Sequence, residues 1–247
     1  MFTFPVSTGS YRQFIDEIFN LSEQQASSYV CFANVHMVIE AYNNPSFNTV
    51  IRNADVVTPD GKPVALFLRF LKKINQVRVC GLDVFPDLLK EAHARNKSVY
   101  FYGTTNDILH RISEKAKREF PSLNICGYYS PPFRTLSPTE EIEIVNKIND
   151  ANPDLIFVAL GCPKQEKWMA ENKAKINGCM LGVGYAFNVY AGIAKRSPKW
   201  MQRFSLEWVY RLYQEPGRLW KRYFYTNSIF LFLTLKYFFS SLFFSSK

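Results

Sequence analysis

From residue 98 onward, short apolar runs alternate with segments in which apolar positions recur every three to four residues. Apolar runs of about 4–8 residues between turn residues predict buried strands, and the longer period predicts amphipathic helices. We expect strands at 98–102, 123–128, 154–160 and 178–183, and helices at 107–120, 139–150 and 164–175. Strands that alternate with helices predict an α/β fold, a Rossmann-like parallel sheet with helices on both faces.

The first part of the chain shows the same alternation less regularly. It predicts helices at 11–20, 35–42 and 64–71 and strands at 29–33 and 54–58, the second strand ending at a Pro-Asp-Gly turn. Ligands of parallel sheets bind at the carboxyl ends of the strands. We therefore expect the chemistry to lie in the loops that follow the strands, at 58–62, 103–106, 161–165 and 184–188.

Composition narrows the class of protein. The chain has 247 residues, of which 47% are hydrophobic and 21% charged, and this excludes a disordered or low-complexity protein. Its five cysteines form no C-x-x-C pair, which argues against a disulfide framework or a zinc site and favours a reducing compartment. The first residues lack the basic and apolar regions of a signal peptide, so we expect none.

The net charge of +9 is concentrated near the carboxyl end. Eight basic and two acidic residues lie between positions 195 and 222. Such a patch predicts an anionic partner, which could be nucleic acid, an anionic membrane or a diphosphate substrate. The basic residues are Lys195, Arg196, Lys199, Arg203, Arg211, Arg218, Lys221 and Arg222.

The segment that follows the basic patch favours a membrane over nucleic acid. Between positions 223 and 244 the single charged residue is Lys236, and phenylalanine and tyrosine are abundant. Aromatic residues beside a basic stretch are typical of an interfacial membrane anchor. Two alternatives remain open: a helix docked on the protein's own core or on a subunit partner, and a transmembrane span, which Lys236 disfavours. We predict a core at 1–194 and a basic, aromatic helical appendage at 195–247.

Three loops at predicted strand ends carry candidate chemistry, and each also has an ordinary structural interpretation. Asp60 is either part of a tight turn or a general base at the end of a strand. Gly103 and Thr104 open a helix, as a phosphate-binding turn or as a simple helix cap. Gly161 and Lys164 form either a common loop before a helix or a site for a diphosphate or a sugar hydroxyl.

No metal site is predicted. The three histidines, His36, His93 and His110, show no ligand spacing, and the carboxylates form no D-x-D motif. Cys162 has no histidine base placed by the sequence, so we interpret it as a small packed residue.

Several motifs in order identify a family. They are Thr-Pro-Asp-Gly at 58–61, Arg-Val-Cys-Gly-Leu-Asp at 78–83, Leu-Gly-Cys-Pro-Lys-Gln-Glu-Lys-Trp at 160–168, Gly-Val-Gly at 182–184 and Leu-Glu-Trp-Val-Tyr-Arg-Leu at 206–212. With these motifs, residues 29–222 resemble the WecG/TagA/CpsF glycosyltransferases of bacterial surface polysaccharide synthesis.

The resemblance implies a reaction. It implies inverting, metal-independent transfer of a hexose, such as an N-acetylmannosamine-type sugar, from a UDP-sugar to a polyprenyl-diphosphate-linked sugar in surface polysaccharide or teichoic acid synthesis. It implies no cofactor, and it assigns the general base to Asp60. The substrate-binding positions that it implies are Asn34, Arg78, Gln165, Asn188, Arg211, Arg218 and Arg222, and the nucleotide-binding loops are expected at Gly103, Thr104, Gly161 and Lys164.

The sequence departs from the family pattern at two positions of the implied sugar pocket. Phe32 replaces a threonine, and Asn188 replaces a carboxylate. The second change motivates an alternative, a non-catalytic membrane-associated scaffold of a polysaccharide assembly complex. The expected partners are a UDP-sugar donor, a lipid-diphosphate-linked acceptor and the membrane surface, with no nucleic acid; a homo-oligomer is compatible with the sequence. The expected location is cytoplasmic, peripheral on the inner face of the cell membrane.

Overall fold

A computed structural model of the chain describes residues 2–24 and 26–244, with side chains through residue 240. Its centre is one six-stranded sheet in the order β2-β1-β6-β5-β3-β4, and all of the paired strands run parallel. This confirms the predicted parallel α/β sheet. The strands are β1 (Ser28–Ala33), β2 (Val56–Pro59), β3 (Ser98–Gly103), β4 (Asn124–Tyr129), β5 (Leu155–Ala159) and β6 (Cys179–Gly182).

Helices cover both faces of the sheet, as predicted. They are α1 (Tyr11–Glu23), α2 (Val35–Asn43), α3 (Pro45–Arg52), α4 (Lys62–Leu71), α5 (Gly81–Ala94), α6 (Asn106–Glu119), α7 (Pro138–Asp150), α8 (Lys164–Asn172), α9 (Ala186–Tyr190), α10 (Lys199–Arg203), α11 (Glu207–Gln214) and α12 (Pro216–Phe244). Consecutive side chains of β5 point to opposite faces, so that Ile156 joins one apolar layer and Phe157 the other.

Three helices of the core, α3, α5 and the short α9 in the predicted loop at 184–188, are absent from the sequence-based assignment. Helix α5 buries Val84, Phe85 and Leu88 on one face, but Pro86 lies inside it and argues against a helix at the level of sequence. Helix α3 is short, and it begins because the Asn44 side chain accepts hydrogen bonds from the first backbone N–H groups. Packing on the sheet stabilises α5 in spite of its proline.

The appendage packs back onto the protein. Helix α12 lies along α2 and also contacts α4, and its Phe230 and Leu233 are buried in the same apolar layer as Met37 and Phe67. One face of α12 therefore docks on the protein's own core, which was one of the alternatives for this segment. Among residues 2–24 and 26–244, none of the helices contains an apolar stretch that could serve as a membrane span.

The opposite face of α12 is exposed. Its Phe224, Phe232 and Phe239 are 76%, 65% and 54% exposed, respectively. Membrane contact through this face stays a prediction, as does the division of the chain at residue 194. Residues 245–247 of the predicted appendage lie outside the described part of the chain.

Aspartates fix the amino ends of the strands. Asp154 accepts hydrogen bonds from the backbone N–H and the hydroxyl of Ser98, both at 2.8 Å, and it pairs with Lys97 at 3.1 Å. At the start of β1, Asp55 accepts a 2.8 Å hydrogen bond from the N–H of Tyr29. These contacts join neighbouring strands at the edge of the sheet opposite to the predicted site.

Candidate active site

The carboxyl ends of the strands open into a cleft of about 1060 Å³ that the appendage partly covers. Ten of the twelve predicted site residues line this cleft. They are Asn34, Asp60, Arg78, Thr104, Gly161, Gln165, Asn188, Arg211, Arg218 and Arg222. The loops that follow parallel strands lie at the same edge of the sheet, which brings together residues 130 or more positions apart in the chain.

Asp60 directly follows β2. It is part of a tight turn and also lines the cleft, so the two interpretations of this residue are compatible. Its backbone N–H donates to the carbonyl of Ala33 at 3.0 Å, and Gly61, with φ of +102°, starts α4. Burial raises the pKa of the Asp60 carboxyl to about 7, against the opposing effects of nearby Arg78 and Arg211. A carboxylate with this pKa is suited to act as a base near neutral pH.

Arg78 lies beside Asp60, but carboxylates of the protein hold it. Its guanidinium contacts Asp83 at 2.9 Å and also forms an ion pair with Glu207 of α11. Arg196, which precedes α10, contacts the same Asp83 at 2.5 Å. The guanidinium of Arg78 thus links the loop before α5 to the appendage. A contact of Arg78 with substrate stays a prediction.

Gln165 shapes the cleft wall. Its side-chain N–H groups donate to the carbonyl of Gly182 and to the carboxylate of Glu166, both at 2.7 Å, and its oxygen accepts from the N–H of Gly161 at 3.2 Å. These bonds use both donors of the amide and connect the loop after β5 to the end of β6. A Cβ on Gly182 would lie 2.9 Å from the amide nitrogen, so this contact depends on glycine.

Asn34 and Asn188 line the cleft from two short segments. Asn34 caps α2, where its side-chain oxygen accepts a 3.1 Å hydrogen bond from the N–H of Met37. Asn188 lies in α9, and its backbone carbonyl accepts from the N–H groups of Ile193 and Ala194 at 3.0 Å. The Asn34 amide is therefore held by its helix cap, and the roles of both side chains toward substrate stay predictions.

The predicted phosphate loops divide into lining and supporting residues. Thr104 and Gly161 line the cleft. Gly103 does not, and a Cβ there would lie 2.6 Å from the carbonyl oxygen of Ala159, which shows that close packing of β3 against β5 requires this glycine. Lys164 is exposed and lies outside the cleft lining. A nucleotide-binding role stays a prediction for all four residues.

The appendage brings three arginines to the cleft from two helices. Their spacing of seven and four residues would place them near one face of a single helix, but α11 ends at Gln214 and α12 begins at Pro216. Arg211 nevertheless lines the cleft from α11, and Arg218 and Arg222 line it from α12. Burial lowers the pKa of Arg222, to which the neighbouring positive charges contribute.

Two ionisable groups of the cleft, the partly buried His36 and the buried Glu166, were not among the predicted site residues. Burial lowers the pKa of His36 to about 4, and Arg222 adds to this effect, so the imidazole is neutral near neutral pH. Burial raises the pKa of Glu166 to about 7. Glu166 belongs to the 160–168 motif, which was a usable signal, whereas a lone histidine at position 36 gave none.

Across residues 2–24 and 26–244, no three His, Cys, Asp or Glu side chains group closely enough to hold a metal ion.

Comparison with known proteins supports the resemblance. The model of the glycosyl transferase WecG/TagA/CpsF family matches residues 1–242. An N-acetylglucosaminyldiphosphoundecaprenol N-acetyl-beta-D-mannosaminyltransferase of Bacillus spizizenii is 34% identical over 201 residues, which are 81% of this chain and 76% of that protein. A Bacillus subtilis enzyme with the same name is 33% identical over 81% of this chain and 76% of its own length. A Staphylococcus aureus enzyme with that name is 26% identical over 90% of this chain and 85% of its own length. The chain thus belongs to the WecG/TagA/CpsF family of glycosyltransferases.

Proposed function

We propose that this glycosyltransferase moves an N-acetylmannosamine-type sugar from a UDP-sugar to a polyprenyl-diphosphate-linked sugar, with inversion and without a metal. The observation that carries the proposal is the position of Asp60, a desolvated carboxyl with a pKa of about 7 that lines the cleft with Arg78 and Arg211. The names of the bacterial relatives, which specify an N-acetylglucosaminyl-diphosphoundecaprenol acceptor, support the class of acceptor.

Asp60 supplies the base in this proposal. Its carboxylate takes the proton of the acceptor hydroxyl while the oxygen bonds to the anomeric carbon of the donor sugar. The bond from that carbon to the diphosphate oxygen breaks, and the UDP leaves with the electron pair. A single base and a departing group on the opposite face invert the anomeric centre, and the beta linkage in the relatives' names fits inversion of an α-linked donor.

Cationic side chains stabilise the leaving diphosphate. Arg211, Arg218 and Arg222 line the same cleft as Asp60. Preorganised positive groups near a developing anion lower the barrier because they need little reorganisation during the reaction. The N-termini of α2 and α8 also lie at this edge, where the positive ends of the helix dipoles favour anions. These groups make transfer without a metal feasible.

The exposed face of α12 places the enzyme at its lipid-linked acceptor. Phe224, Phe232 and Phe239 form an apolar surface on the helix that also carries Arg218 and Arg222. Aromatic side chains beside basic residues bind the interface of anionic membranes. We propose on this basis a peripheral enzyme with a core at 1–194 and an appendage at 195–247.

The direct test is a transfer assay with the purified full-length chain. UDP-N-acetylmannosamine and vesicles that contain N-acetylglucosaminyl-diphosphoundecaprenol are incubated with the enzyme, and the lipid product is identified by mass spectrometry. We expect one added N-acetylhexosamine with a β linkage in the NMR spectrum. A product with the α linkage would refute inversion, and transfer of a different nucleotide sugar would correct the donor.

The non-catalytic scaffold is the competing outcome of the same assay. It is supported if no nucleotide sugar is turned over by a correctly folded chain that still sediments with the vesicles. Asp60→Asn serves as the matched catalytic control, and Asp107→Asn on α6, whose Arg111 ion pair lies at the surface, serves as the matched charge control.

A further inference from the structure

Four charged side chains form a closed ring between the core and the appendage. Arg78 contacts Asp83 at 2.9 Å and pairs with Glu207, while Arg196 contacts Asp83 at 2.5 Å and Glu207 at 3.8 Å. Each guanidinium therefore meets both carboxylates. Asp83 lies in the first turn of α5, and Glu207 is the first residue of α11.

The ring is partly withdrawn from water. The side chains of Arg78, Glu207, Arg196 and Asp83 are 16%, 20%, 27% and 34% exposed. Two nitrogens of Arg196, Nε and Nη2, are fully covered and have no hydrogen bond of good geometry among the described residues, so the two carboxylates compensate their charge. Removal of one member leaves its partners with uncompensated charge, which makes the ring sensitive to single changes.

The ring is connected to the site through α11. Glu207 and Arg211 are four residues apart in this helix, and residues at this spacing lie on the same face. Both side chains line the cleft, and Arg211 is close enough to Asp60 to affect its ionisation. A helix held at Glu207 is thereby also held at Arg211.

We propose that Asp83, Arg196 and Glu207 are positioning residues for glycosyl transfer, which form with Arg78 the ring that keeps Arg211 beside Asp60. The inference rests on the proposed function, since it takes Asp60 as the base. Its consequence is that the appendage is part of the catalytic geometry and that one ion-pair ring fixes its place.

The groups around Asp60 connect the ring to its ionisation. Arg78, Arg211 and the backbone N–H of Gly81 favour the ionised carboxylate, whereas Asp83 disfavours it and the Cys80 thiol lies nearby. Release of α11 removes the charge of Arg211, which raises the pKa of Asp60, and it opens the cleft to water, which lowers that pKa. The midpoint of the acid limb of kcat/KM should therefore shift, through groups that Glu207 holds in place.

Glu207→Gln in the full-length chain is the discriminating variant. We expect kcat/KM to fall by on the order of 10²-fold, the cost of a displacement of about 1 Å in a catalytic group. We also expect the midpoint of the acid limb to shift, because Glu207 holds Arg78 and Arg211, which act on Asp60. An unchanged kcat/KM, or an unchanged midpoint, overturns the proposal.

A second ring of the same composition provides a matched control. Arg12, Asp16, Arg95 and Glu91 form a closed ring between α1 and α5, with contacts of 2.8–3.2 Å, and none of them lines the cleft. Glu91→Gln makes the same chemical change in that ring. We expect it to leave the acid limb unchanged, and an equal shift in this variant would overturn the proposal.

Arg196 tests the ring as a unit. Arg196→Lys retains the charge and should keep most of the activity that Arg196→Gln loses. The double variant Arg196→Gln/Glu207→Gln should be little worse than either single variant, because each alone releases the helix. Additive losses would show independent roles and contradict the ring.

Hydrogen–deuterium exchange separates failure of this inference from failure of the proposed function. Glu207→Gln should accelerate exchange of the backbone N–H groups of α11, whether or not the chain transfers sugar. If the wild-type chain transfers no sugar but Glu207→Gln still accelerates exchange in α11, the ring is supported and the proposed reaction is rejected. Unchanged exchange in α11 rejects the ring.

Discussion

The guanidinium carbon of Arg211 lies 4.0 Å from the centre of the Tyr185 ring. The contact joins α11 of the appendage to the loop after β6, so a residue of the appendage and a residue at a strand end face each other across the cleft. The Tyr185 hydroxyl also donates to the side-chain oxygen of Gln214 at 3.2 Å. The appendage is thus held to the sheet edge by an aromatic contact in addition to the charged ring.

Replacement of Tyr185 separates these two contacts. Tyr185→Leu removes the ring contact that holds Arg211, which stabilises the diphosphate in our proposal. We therefore expect UDP binding to weaken by about 2- to 30-fold, which corresponds to about 0.5–2 kcal/mol for a cation–π contact. Tyr185→Phe keeps the ring and loses only the hydroxyl contact with Gln214, so its binding should stay close to that of the wild type. Isothermal titration of both variants with UDP makes the comparison, and equal losses would assign the effect to the hydroxyl.

The base should be visible in the pH–rate profile. Because Asp60 must be ionised to accept a proton, kcat/KM should rise with pH through a midpoint of about 7. Asp60→Asn should reduce kcat by about 10²–10⁴-fold and abolish that limb, while UDP binding is retained. A correctly folded Asp60→Asn enzyme with normal turnover would remove Asp60 from this role.

The same carboxyl should cost stability when it is ionised. Its pKa is raised by burial from 3.8 to about 7 in the folded protein, so its contribution is fully present below about pH 4 and is lost as the pH rises through about 7. Asp60→Asn cannot ionise and avoids this loss. In urea unfolding, the free energy of unfolding of the variant should therefore rise relative to that of the wild type by on the order of 4 kcal/mol between acidic and alkaline pH. A pH-independent difference would show that the carboxyl is not desolvated.

The exposed face of α12 should bind anionic membranes. We expect the triple variant Phe224→Ser/Phe232→Ser/Phe239→Ser to remain folded, because these side chains are exposed, and to lose sedimentation with phosphatidylglycerol vesicles. Ile142→Ser, which removes an exposed apolar side chain of α7, is the control and should bind as the wild type does. Undiminished sedimentation of the triple variant would place the membrane contact elsewhere.

Transfer should continue in the presence of a chelator. In our proposal, arginines and helix N-termini stabilise the leaving diphosphate, so EDTA should leave the rate of product formation unchanged. The measurement is the initial rate of lipid product formation with and without EDTA. A rate that falls in EDTA and recovers with Mg²⁺ or Mn²⁺ would contradict the metal-independent mechanism.

Local sequence patterns were sufficient to predict the sheet. The apolar run from Val99 to Tyr102 is buried throughout, and such runs are typical of parallel strands covered on both faces. The strand order was beyond such patterns, because it depends on which helices pack on which face. For the same reason the sequence did not indicate that β6, the last strand in the chain, lies between β1 and β5.

The residues at strand ends were predicted better than the contacts between them. Asn34 and Asp60 follow neighbouring strands, so a parallel sheet alone brings them to the same edge. Arg78 and Glu207 are 129 positions apart, and neither residue follows a strand directly. Their ion pair depends on how the appendage returns to the core, which no local pattern encodes. The sequence therefore predicted that Arg78 binds substrate but did not predict its ion pairs with Asp83 and Glu207.

The amino ends of the strands, fixed by Asp154 and Asp55, have a practical consequence for engineering. All of the cleft-lining loops described above lie at the opposite edge, so substitutions near Ser98 or Tyr29 alter the scaffold without entering the cleft. Stabilising changes often reduce activity when they stiffen or repack a catalytic site. In this enzyme, thermal tolerance and turnover can be optimised in separate libraries, one for each edge of the sheet.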